Sequence, residues 1–110
     1  MYLNNGELNG IRILSRTTIQ FMMANQIGDL SIGRPGIYYG LAFGVQNQKG
    51  QDMGGRGSVG TFEWGGYYNT LYSADPKEKI IGLFMKQTRG IEREQSGLKF
   101  RQLVFQAIDD

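Results

Sequence analysis

Several short segments of this 110-residue sequence hold residue types and spacings that chemistry uses. Ser96 and Lys99 stand three apart, which on a helix places the amine one turn from the hydroxyl, where it can take the serine proton. The same four residues, Ser96-Gly97-Leu98-Lys99, equally describe a serine that caps a helix with lysine in the first turn. Tyr67 and Asn69 make a Tyr-x-Asn pattern that is just as short. Gly54-Gly55-Arg56-Gly57 looks like a phosphate cradle or an Arg-Gly nucleic-acid element. It lacks the Gly-Lys-Ser/Thr ending of a P-loop, does not lead from a strand into a helix and occurs once, so it reads as a mobile connection. Trp64-Gly65-Gly66 is the most informative. Two residues without side chains follow a large aromatic on a strand, which lets a ligand or another backbone approach the strand edge and its amides. A glycine kink with Trp64 in the core is the structural alternative.

Composition limits what these residues can do. The chain has no cysteine and no histidine, so it holds no Ser-His-Asp triad, no Cys-His dyad and no site built on those metal ligands. Hydrophobic residues make up 40% and charged residues 20%, as in an ordinary folded domain. The net charge of +2, from 12 basic and 10 acidic residues, is too small and too scattered to predict nucleic acid as a partner. No apolar run approaches the ~20 residues that a membrane span needs. The first residues, Met1-Tyr-Leu-Asn-Asn-Gly, lack the basic region and apolar stretch of a signal peptide. The compartment is not legible from these features.

The elements that must position the candidates follow from periodicity. Asn4-Asn5-Gly6-Glu7-Leu8-Asn9-Gly10 carries two turn signals and reads as a tight hairpin or a helix exit. Ser15 is a credible N-cap for a helix of about three turns, with Ile19, Met22 and Met23 on one face and Gly28 as its stop. Residues 37–46 alternate apolar and polar from Tyr39 onward and predict one strand. Residues 49–60, rich in glycine, predict a flexible connection. Strands follow at 61–68, 70–74 and 79–87, the last two joined by the Asp75-Pro76-Lys77-Glu78 turn. A final helix over 96–108 carries Leu98, Leu103, Val104 and Ala107 or Ile108 on its apolar face. The pattern is α+β: an antiparallel sheet of three to four strands, one helix in the N-terminal half and one at the C-terminus.

The order of these segments resembles the C-terminal part of the serine β-lactamase and penicillin-binding-protein superfamily. It is most similar to the class C β-lactamase-related branch with esterases and D-amino-peptidases. The resemblance begins at Leu3-Asn-Asn-Gly-Glu-Leu-Asn-Gly-Ile-Arg-Ile-Leu-Ser15. It continues through Tyr39-Gly-Leu-Ala-Phe-Gly-Val45 and Trp64-Gly65-Gly66 to the Asp75-Pro-Lys-Glu turn. It implies a fragment of the β-lactamase/transpeptidase-like fold, residues 1–110 forming one partial domain. Trp64, Gly65 and Gly66 then hold the substrate-binding strand positions taken by Lys-Thr-Gly or His-x-Gly elsewhere in the family. The backbone N–H of Tyr67 would donate to the oxyanion hole, a contribution worth about 10²–10³-fold per donor.

The resemblance further implies an acyl-enzyme mechanism on an ester, amide or β-lactam, with serine, lysine and tyrosine supplied upstream. On that reading Ser96-x-x-Lys99 and Tyr67-x-Asn69 are decoys, and the 110 residues alone are catalytically silent. The resemblance implies a small-molecule acyl substrate as partner and no cofactor; a periplasmic or secreted parent would follow from the resemblance only, and the localisation stays unknown. Glu63 stands where the family often has a small residue, either barring anionic substrates or facing solvent. A bulky Tyr67-Tyr68 pair follows the glycines. Because the family sheet also uses N-terminal strands, one sheet edge here is expected to be bare and to drive self-association. The reading from a different class is a binding or structural module that adds a strand to its glycine-rich edge.

Overall fold

Turn chemistry sets the start of the chain. In the computed structural model, which describes residues 1–30, 32–89 and 95–108, a short 3-10 turn (Tyr2–Asn4) leads into a hairpin of β1 (Glu7–Leu8) and β2 (Ile11–Arg12). Asn9 and Gly10 both have positive φ, 51° and 78°, as a two-residue turn of this hand requires. Of the two readings of this segment the hairpin holds for 7–12. Helix α1 (Arg16–Met23) follows, and Ser15 caps it by accepting from Thr18 N at 3.0 Å. It stops a turn short of the expected Gly28. Asn25 competes with the helix: its Oδ1 accepts from Ile27 N at 3.1 Å and its Nδ2 donates to Gly28 O at 2.8 Å.

The main sheet has five antiparallel strands in chain order, not three to four: β3 (Ile37–Tyr39), β4 (Gly44–Gln46), β5 (Phe62–Gly65), β6 (Leu71–Asp75) and β7 (Ile80–Phe84). The expected strand over 37–46 is in fact a hairpin, with Tyr38 opposite Val45. The break is at Gly40. A Cβ there would lie 2.3 Å from Met22 O, so only glycine lets the chain dock on the end of α1. Leu41 N then donates to that same carbonyl at 2.9 Å, and Gly40 N donates to Phe43 O. The connection over 49–60 is not featureless either. It contains α2 (Gln48–Asp52), capped by Asn47, whose Oδ1 accepts from Gly50 N at 3.0 Å.

Each sheet face is covered differently. One face buries Phe43, Val45, Phe62 and Ala74, with Tyr2, Leu3 and Met23 from the N-terminal segment packed over them. The rings of Tyr2 and Phe43 meet edge to face at 5.2 Å. The other face lies under α3 (Ser96–Gln106), where Phe100 stacks on Phe84 at 5.1 Å. The expected stripe of α3 is only half right. Leu98 and Leu103 are 46% and 64% exposed, while Arg101 is buried at 7%. The helix is rotated so that Phe100, Arg101 and Phe105 face the sheet, because Arg101 meets a buried carboxylate there. The α+β class holds.

Candidate functional site

The Trp64-Gly65-Gly66 segment ends β5, and the hydrogen-bond alternation of antiparallel strands shows where its backbone points. Thr61 O accepts from Gln46 N at 2.9 Å on the β4 side, and Gly66 N donates to Thr70 O at 2.8 Å on the β6 side. Odd-numbered residues of β5 therefore turn their amides toward β4 and even-numbered ones toward β6. The β4 strand begins at Gly44, opposite Glu63. Gly65 is thus the first odd residue to run past the partner strand, and Tyr67 follows it in the turn. Among the described residues, Tyr67 N–H has no hydrogen-bond partner.

On the other side of this strand end, toward β6 and β7, is a cleft of about 260 Å³ lined by Trp64, Gly65, Gly66, Thr70, Leu71, Tyr72, Leu83 and Met85. Trp64 is not a core residue: it is 39% exposed and its ring meets Tyr39 edge-on at 5.1 Å. Tyr67 and Tyr68 are exposed and pack against each other, and the Arg89 guanidinium sits 4.7 Å from the Tyr67 ring centroid. Burial raises the Tyr72 phenol above its ordinary pKa, with Tyr2 and Tyr39 adding to the shift. Tyr72 stays a neutral wall of the cleft.

The two glycines have different structural reasons. A Cβ on Gly65 would meet only Thr70 O, at 3.5 Å, which is ordinary contact. On Gly66 it would come within 2.1 Å of Thr70 Oγ1. Gly66 therefore leaves room for the Thr70 hydroxyl across the tight β5–β6 hairpin, which a side chain there would force to turn away, whereas nothing among the described residues crowds position 65.

The other sequence candidates separate from this site. Ser96 is the first residue of α3, not its cap; Gln95 precedes it without a side-chain cap bond. Its hydroxyl accepts from Lys86 Nζ at 2.8 Å, while Lys99 is exposed. Asn69 takes a left-handed conformation and its Nδ2 donates to Thr88 O and Oγ1 at 3.1 and 3.2 Å. It ties the turn to the segment that follows β7.

Two constellations escaped the sequence reading. Glu63 neither faces solvent nor borders the cleft. It is 4% exposed on the α3 face and pairs with both Arg34 and Arg101. The signal for it was helical phase: Arg101 falls between Phe100 and Val104 on a stripe that must be buried. Asp75, 1% exposed, accepts from Ser58 N and Thr61 Oγ1 on one oxygen and from Lys77 N and Glu78 N on the other. Burial alone would raise its pKa, but these bonds together hold it below the ordinary carboxyl value. Among the described residues no group of His, Cys, Asp and Glu could hold a metal ion. No described helix is long and apolar enough to cross a membrane.

Comparison with known proteins adds relatives without an activity. The chain is similar to two Mycobacterium tuberculosis proteins, Protein Rv1367c of strain H37Rv and Uncharacterized protein MT1414 of strain CDC 1551. Each is 32% identical in a 98-residue alignment that covers 79% of this chain and 24% of the relative. The chain therefore spans about a quarter of the length of the curated relatives it matches. No family model matches the chain.

Proposed function

We propose that this chain is the C-terminal part of a serine β-lactamase-like acyl hydrolase or transferase and that it contributes the oxyanion strand. The observation that carries the reading is the open edge of β5. Gly65 and Tyr67 run past the end of β4, Gly65 also lines the apolar cleft toward β6 and β7, and the Tyr67 amide has no partner among the described residues. An amide held in the hydrogen-bonded turn that ends a strand needs little reorganisation when negative charge develops on a carbonyl oxygen. The acyl group of the substrate would lie along Gly65, against Trp64 and Tyr72, with the nucleophilic serine supplied by residues outside this sequence. The relatives' greater length leaves room for that serine and its base.

The test is acylation of the complete protein by a fluorescent β-lactam and by a nitrophenyl ester. Gly65→Val should leave stability nearly unchanged and lower acylation at least about tenfold, because a side chain there obstructs the strand edge. Unchanged acylation in that folded variant would remove Trp64-Gly65-Gly66 from the site. The 110 residues alone should show no turnover, and turnover abolished by Ser96→Ala would overturn the assignment outright.

A second reading, a module that binds by strand addition, is favoured by the outer edge of the sheet. On β7 the alternate residues Ile81 and Leu83, and Met85 just beyond, are 66%, 60% and 72% exposed. Such an edge also favours self-association of this chain.

A further inference from the structure

On the α3 side of the sheet, away from Trp64, lies a second cleft of about 340 Å³ where three arginines converge on one carboxylate. Arg34 comes from the loop before β3, Arg56 from the loop after α2 and Arg101 from α3. Glu63 pairs with Arg34 and Arg101. Arg56 has no hydrogen bond or ion pair among the described residues. Among the described residues, two positive charges are left uncompensated within one concave site. The Arg101 side chain is only 9% exposed, and its Nε is buried without a hydrogen-bond partner. A buried guanidinium donor with no acceptor is costly unless something supplies one.

The walls are preformed and bare. Gln46 Nε2 donates to Gly57 O at 2.8 Å, and Gly55 N donates to Gly50 O at 2.8 Å, which folds the loop back on α2. Gly50, Gly54 and Gly55 line the space without side chains, so a ligand can reach the backbone.

The geometry points to a binding site for a phosphate dianion, free or as a phosphomonoester, held by Arg34, Arg56 and Arg101. A dianion matches the uncompensated charge, and planar guanidiniums bind its oxygens in pairs. The field inside the cleft agrees: burial, then repulsion from Arg34 and Arg56, lowers the Arg101 pKa to about 10. Arg101 stays charged at neutral pH. This site does not use Trp64-Gly65-Gly66 and stands or falls apart from the acyl-transfer reading.

The experiment is calorimetric titration of the chain with inorganic phosphate, O-phosphoserine and acetate at constant ionic strength, for the native sequence and for Arg56→Gln. Arg56 has no partner among the described residues and does not touch Glu63 through any ion pair, so its replacement leaves the Glu63 pairs intact. Saturable one-to-one phosphate binding, weakened at least about tenfold in Arg56→Gln, is expected. Tighter phosphoserine than phosphate identifies a monoester as the ligand, and the reverse order identifies the free ion. Acetate binding as tightly as phosphate would overturn the dianion assignment. No saturable phosphate binding, or equal binding by Arg56→Gln, would overturn the site.

Discussion

Glu63 and Trp64 are consecutive residues of β5 that face opposite sides of the sheet, and their surroundings share almost nothing. Glu63 is 4% exposed under α3 and held by two arginines; Trp64 is 39% exposed and touches Tyr39 at its ring edge. On the α3 face, two carboxylates are buried and matched: Glu63 with arginine, Asp75 with two amides of a turn, an amide of the 57–58 loop and a hydroxyl. On the opposite face, the N-terminal segment covers Phe43, Val45 and Phe62 but leaves Ile81, Leu83 and Met85 in solvent. One face buries its carboxylates against partners, whereas the other ends in exposed apolar surface, and the proposed acyl site lies on that second side.

The contrast is broken most directly at Glu63. Replacing it by glutamine leaves Arg101 charged, buried and without its counter-charge, a change that costs about 3–5 kcal/mol. Trp64→Ala removes more atoms but from a half-exposed ring, and should cost less than about 2 kcal/mol. Urea unfolding of both variants measures the difference. Equal costs would mean that the two faces are equally built.

Asp75 sharpens the same point through pH. Its folded carboxyl titrates below the unfolded value near 3.8, so its contribution is complete above that value and is lost as pH falls through the folded value. Asp75→Asn keeps the shape but one oxygen becomes a donor facing donors, at a cost of about 2–3 kcal/mol at pH 7. Its stability should be flatter than that of the native chain at pH below 3.8. A parallel acid decline in both would assign the loss to other carboxylates.

These two carboxylates also show what the sequence could and could not reveal. Asp75 was legible as a turn residue before Pro76, because Asx chemistry is local. Its bonds to Ser58 and Thr61 were not, since they join residues 17 and 14 apart. Glu63 was misread because one charge on a strand carries no sign of its face until Arg101 is placed by helix rotation. The strands were legible from alternation, but the break at Gly40 depends on contact with α1, which no local pattern encodes. Trp64-Gly65-Gly66 stands out as a candidate from residue types alone. That Gly66 serves the hairpin and Gly65 does not required the position of Thr70. Gly66→Val should accordingly cost about 1–3 kcal/mol, and Gly65→Ala close to nothing; thermal denaturation separates them.

The smallest effect on stability, and the sharpest test of the bare face, lies on β7. Ser73 and Gly82 are paired across β6–β7, and the alternation turns the amides of Ile81 and Leu83 outward, away from β6. A second copy of β7 laid antiparallel about Gly82 would put Ile81 opposite Leu83 in a hydrogen-bonded pair, with both side chains on the exposed apolar face. The Ile80–Phe84 strand carries no charge or proline to discourage such pairing. The native chain should therefore sediment above 12.4 kDa at micromolar concentration. Leu83→Lys should return it to the monomer by placing an ammonium in the row. Because Leu83 is already 60% exposed, that variant should change unfolding free energy by no more than about 0.5 kcal/mol. A native chain that is monomeric at these concentrations, or an assembly indifferent to lysine at 83, would show that the open face does not recruit a second copy through β7.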